Sequence, residues 1–193
     1  MKLLIILLPF LLLWTPIFSQ DIGTLFRDTP YSKFLEGGKR WFVDGNEETQ
    51  IKYMGKIRNG TPDGNGIMSY KGRKFYEGDF KNGDLSGKGT YTWENGSKYI
   101  GEFEDGTKTG LGTYIWPKSY GIFCGREKYV GEFKNDEFVN KGKLFFRDGQ
   151  IFEGEFVNDL NFGEGTKTLP DGRKYVGIWF RKSEDTIPLW EIT

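Results

Sequence analysis

From Tyr53 onward, apolar and polar positions alternate in short runs, and the runs come in pairs. The first run of a pair carries Tyr, Gly and an aromatic residue at every second position. Tyr76, Gly78, Phe80 and Tyr99, Gly101, Phe103 are examples. The second run keeps the alternation, as in Gly87, Gly89, Tyr91, Trp93 and then Gly110, Gly112, Tyr114, Trp116. A period of two puts each set on one face of a strand. Glycine-bearing segments such as "KNGDLSG" and "EDGTKTG" join the two members of a pair. Tighter turns, "ENGS", "RDGQ" and "PDGR", join one pair to the next. Each pair is therefore predicted to be a β-hairpin.

The hairpins repeat. Copies start at residues 53, 76, 99, 129, 152 and 175, the last one broken, with steps of 23, 23, 30, 23 and 23 residues. The segment "SGKGT" (86–90) has the composition of a phosphate-binding loop. It is one instance of a recurring Gly-x-Gly element, matched by "DGNGI", "TGLGT", "NKGKL" and "FGEGT". Its lysine does not recur in phase, its glycine spacing is one short, and Gly89 stands where Ser or Thr would bind the metal ion. A nucleotide site is not indicated.

The pattern Y-x-G-E-F-x-N-G-x-x-x-G-x-G-x-Y-x-W resembles the MORN repeat (membrane occupation and recognition nexus). The resemblance covers residues 53 to about 180. Three copies depart from it. The first has Lys56 at the acidic position. The fourth has Asp136 and Asn140 where glycines are expected, and the fifth has Lys167 where an aromatic is expected. The resemblance implies an all-β fold: an elongated, twisted, single-layer antiparallel sheet of successive hairpins. Twelve strands would span about 55 Å. Glycine weakens a strand unless something needs the space, and here a flat ring on a neighbouring strand would fill it. The opposite face carries Asp79, Glu102, Glu132 and Glu155 with several threonines, and is expected to be wet. Equivalent acids would lie about 9–10 Å apart, exposed and beside Lys88 and Lys143.

Short caps should close the array. Residues 20–52 form the N-terminal one, with a short helix starting near Thr29-Pro30. Within it, "KRWFVDGN" (39–46) reads as the second half of a degenerate repeat, with Trp41 as its aromatic. Repeats occupy 53–180. Residues 181–193 are a C-terminal cap or tail, including Ile187, Leu189 and Trp190. Residues 1–19 read as a signal peptide: Lys2, an apolar stretch, then Ser19 for cleavage. An exported protein follows, whether secreted, periplasmic or on the cell surface. A retained N-terminal membrane anchor is the alternative.

The 193 residues include 28 glycines, one cysteine and no histidine, with 27 basic side chains balancing 27 acidic ones. Absence of histidine excludes a Ser-His-Asp triad and histidine metal ligands. Balanced charge gives no electrostatic ground for nucleic acid. The acidic column has no pocket or element to raise a carboxyl pKa, so catalysis is not expected, and neither a metal nor a cofactor is indicated. Cys124, being alone, reads as a buried thiol or a link to another chain.

The candidate binding surface is the aromatic face: Tyr76, Phe80, Tyr91, Trp93, Tyr99, Phe103, Tyr114, Trp116, Tyr129 and Phe133. Most of these rings should pack on one another, and those left exposed should meet a partner. The seven extra residues of the third copy form an insertion with Tyr120, Ile122 and Phe123 at its tip. The expected function is that of a non-enzymatic scaffold holding a protein segment on this face or at a sheet edge. Two alternatives stand beside it: a membrane surface, implied by the family's link to acidic phospholipids, and cell-wall glycan stacked on exposed rings.

Overall fold

A computed structural model describes residues 21–27, 41–118, 125–159 and 162–179. Over these residues the chain is one open antiparallel sheet of thirteen strands, with no α-helix. The strands are β1 (Asp21–Arg27), β2 (Trp41–Phe42), β3 (Ile51–Arg58), β4 (Thr61–Tyr70), β5 (Arg73–Lys81), β6 (Asp84–Thr92) and β7 (Lys98–Glu104). They continue as β8 (Thr107–Ile115), β9 (Arg126–Lys134), β10 (Glu137–Phe146), β11 (Ile151–Phe156), β12 (Phe162–Thr168) and β13 (Lys174–Ile178). From β3 to β13 each strand pairs with its neighbour in sequence. The expected all-β sheet of successive hairpins is what forms.

The N-terminal end differs from expectation. The place beside β3 is taken by β1, not by residues 39–46, and Trp41–Phe42 forms the outer edge against β1. β1 fits because Gly23 falls opposite Gly55 and Leu25 opposite Tyr53, which continues the repeat's own face pattern. The sequence around Asp21 lacks a glycine-marked turn back to β3, so no hairpin signal points to it. The expected signal peptide, the expected helix near Thr29, the insertion tip with Tyr120, Phe123 and Cys124, and the expected C-terminal cap or tail lie outside the described residues.

Register is the organising fact. Gly23, Gly55, Gly66, Gly78, Gly89 and Gly101 lie opposite one another in succession. Gly112, Gly131, Gly142, Gly154, Gly165 and Gly177 carry the same row to the far edge. A bare row crosses twelve strands. The seven-residue insertion does not disturb it, since Gly112 still faces Gly131. The inserted segment is pinned at its base by Trp116 N–H to Glu127 O at 3.0 Å and by Arg147, whose Nη2 donates to Trp116 O and Pro117 O.

Immediately beyond this row, every hairpin from β3–β4 to β11–β12 carries a register shift. A bulge bends its strand. Here the bends bring the hairpin ends back over the aromatic face. Gly83 N–H reaches Pro62 O at 2.8 Å, Gly106 N–H reaches Leu85 O at 3.0 Å, and Phe138 N–H reaches the Asp159 carboxylate at 2.7 Å. From β5–β6 onward, each turn thus docks on the preceding hairpin. This is how one layer encloses a core: Tyr53, Tyr76, Tyr99, Tyr129, Phe80, Phe103, Phe133, Phe138, Phe152 and Phe156 are all buried. A flat sheet would leave that face open.

Candidate functional site

The first-strand tyrosines form the interior of the aromatic face. Tyr99 lies across Gly101 and Gly112, and a methyl group on Gly112 would fall 2.5 Å from its ring. Tyr76 does the same over Gly78 and Gly89, and Tyr129 over Gly131 and Gly142. No side chain larger than hydrogen fits beneath the rings, which is why the row is glycine. Each hydroxyl then donates to the carbonyl three residues on. Tyr53 reaches Lys56 O at 2.6 Å, Tyr76 reaches Asp79 O at 2.9 Å, Tyr99 reaches Glu102 O at 3.0 Å, and Tyr129 reaches Glu132 O at 3.1 Å. That carbonyl sits at the bulge, so the tyrosine both fills the space and ties the bend. Burial pushes the Tyr53 phenol up to about 12, and it raises Tyr76, Tyr99 and Tyr129 as well.

The acidic column has a different role from the one expected. Asp79, Glu102 and Glu132 are half-buried, and Glu155 alone of the four is exposed. The Asp79 side chain covers Gly87 and accepts from Lys88 N–H at 3.2 Å; Glu102 covers Gly110. Gly87 and Gly110 sit at φ 57° and 56°, where a side chain is strained, and the neighbouring carboxylate occupies the opened space. Lys143 pairs with Glu153 at 2.8 Å rather than with a member of the column. The departures from the repeat pattern are absorbed locally. Asn140 and Asp136 adopt φ 51° and 72°, which Asn and Asp tolerate, and Asn140 Nδ2 donates to Glu132 at 2.8 Å. Lys56 lays its stem over Gly64, and Lys167 places Nζ 5.7 Å from the centre of the buried Trp179 ring. Burial lowers the Lys167 pKa.

Six of the ten candidate residues, Tyr76, Phe80, Tyr99, Phe103, Tyr129 and Phe133, are thus sealed inside. The other four, Tyr91, Trp93, Tyr114 and Trp116, are half-buried and touch in series, with centroids 4.6, 5.4 and 4.8 Å apart. They form a ribbon across β6, β8 and the turns that follow. Lys108 Nζ lies 5.6 Å from the Trp93 ring centre, and Arg126 lies 5.7 Å from that of Trp116. The ribbon's floor is rigid because Trp116 also packs edge-on against buried Phe138.

Sequence reasoning missed the character of the other face. It is not simply wet. Met54, Ile67, Ile100, Leu111, Val130, Val176 and Ile178 all project from it, between 38% and 78% exposed. They stand one residue to either side of the glycine row, and that alternation was readable had the polar face been scanned for aliphatics.

A bulged, curled sheet of repeated hairpins with a partly open ring ribbon defines a repeat-built binding scaffold. The sequence profile of the MORN repeat matches residues 53–72, 76–98, 99–119, 129–151 and 152–172, more than half of the chain. The protein belongs to the MORN repeat family.

Proposed function

We propose that this is an exported, non-enzymatic scaffold that holds an extended segment of another protein against the ring ribbon Tyr91–Trp93–Tyr114–Trp116. The observation that carries the reading is the division of the rings. Six are consumed by the core, while four on adjacent hairpins stay half open on a fixed frame. Aromatic rings held rigidly supply contact area at little entropic cost, and their polar atoms meet a peptide backbone. Successive rings are tilted by 44–59° to one another, and Lys108 and Arg126 lie near their faces. That relief suits an irregular peptide better than the flat platform a sugar ring stacks on. Export rests on the apolar stretch following Lys2, and N-terminal sequencing of the mature protein is its check.

Selection of peptides from a displayed library tests the binding reading. Peptides that bind the wild type should lose at least about tenfold in affinity to W93A and W116A, with the fold retained. Peptides that bind both variants undiminished would overturn it. Cosedimentation with anionic vesicles or with insoluble polysaccharide, in the absence of any peptide binding, would replace it with the corresponding alternative.

A further inference from the structure

We propose that the aliphatic-bearing face is a homodimer interface in which two sheets lie face to face, related by a two-fold axis parallel to the strands between β7 and β8. Among the described residues, nine of the ten exposed large hydrophobic side chains lie on or beside this face, counting Ile22 and Val157 with those named above. A soluble sheet normally keeps such a surface polar or covers it. Strand spacing and rise give the central strip of the face about 1,000 Å², above the roughly 800 Å² per partner of a standard interface.

Charge identifies the occupant as a second copy. An axis so placed sets the row flanking the glycines against the same row running the other way. Lys56 on β3 then faces Glu164 on β12 of the second copy. Asp79 faces Lys141, and Lys88 faces Glu132. At the ends of this row Ile22 faces Ile178, and in the companion row Glu77 faces Lys143. No like charges meet in either row. Slipping the register by one strand sets Asp79 against Glu132 or against Glu155. An axis perpendicular to the strands sets Glu77 against Asp79, and Lys143 against Lys141. Of the arrangements compared, the full-overlap register alone sets no like charges together, and juxtaposed like charges disfavour the other ones. The side chains of Lys56, Lys88, Lys141 and Glu164 make no hydrogen bond or ion pair among the described residues. A groove of about 550 Å³ on this face, between Val130 and Val176, has Asn65 and Ile67 of the second copy opposite its centre and Met54 and Lys56 beside them.

Sedimentation equilibrium of the protein expressed from the full 193-residue sequence tests this. The expected result at micromolar concentration is a dimer of twice the mass of the mature chain, that is, of the 22.3 kDa full sequence less the leader removed on export. K56E should weaken it by about tenfold or more, because symmetry places the contact twice. The double variant K56E/E164K should return the affinity to within about threefold, and K88E with K88E/E132K should repeat the pattern. Circular dichroism confirms that each variant folds. A protein that stays monomeric throughout, or a dimer indifferent to K56E and K88E, or double variants that fail to restore association, would each overturn the proposal.

Discussion

The first-strand and second-strand rings of one hairpin have nearly the same composition and opposite fates. Tyr99 is fully buried, bonded to Glu102 O and seated on two glycines. Tyr114, opposite it in the sheet, is half-buried and rests on other rings. The direction of the ring explains the difference. The two residues stand level in the sheet, but Tyr99 lies across Gly101 and Gly112 toward the bulge and its carbonyl, where the curled hairpin end covers it, whereas Tyr114 packs on Trp93 and Trp116. Side-chain type sets what can be buried; which ring lies toward the bend decides which is.

The widest separation should appear on truncation. Tyr99→Ala is expected to cost about 3–5 kcal/mol by denaturant unfolding, since it empties a filled slot. Tyr114→Ala should cost about 1–2 kcal/mol. Equal losses at the two sites would erase the distinction. Alkaline titration comes next. The phenols of Tyr53, Tyr76, Tyr99 and Tyr129 are raised above the ordinary value near 10, with Tyr53 at about 12. The unfolded chain therefore releases these protons first. Stability is full below about pH 10 and falls as pH rises from there through the folded values. A urea midpoint unchanged between pH 9 and pH 11 would contradict the seating of the tyrosines.

Smaller changes sharpen the picture. Tyr99→Phe keeps the ring and removes the bond to the bulge carbonyl, for a loss of about 1 kcal/mol. The fifth repeat already uses Phe152 in that place, so the hydroxyl is an addition to the packing rather than its basis. Asn140→Gly should change stability by less than about 0.5 kcal/mol. It relieves a left-handed backbone position at φ 51° and gives up the bond to Glu132.

Much of this was legible in the chain. Alternation and turn residues gave the hairpins, and the 23-residue step gave their order. Glycine beside Tyr and Phe gave the slots, because period-two geometry leaves no other partner for a bare position. The bends were not legible. Gly87 and Gly110 read as strand glycines like Gly89 and Gly112, and nothing in the sequence marks the first of each pair as bulged. Without the bends, the acidic column looked solvated, whereas Asp79 and Glu102 cover the opened backbone. β1 was missed for a related reason. Its pairing with β3 spans a long segment, and its only shared mark is Gly23.

A double-mutant cycle between Gly112 and Tyr99 tests the slot most directly, because only atoms of Tyr99 lie nearest to a methyl at that glycine. Gly112→Ala alone should cost at least about 2 kcal/mol, and should cost less than half as much in a Tyr99→Leu background, where the ring is gone. Strictly additive losses would show that the glycines are not there to seat the rings.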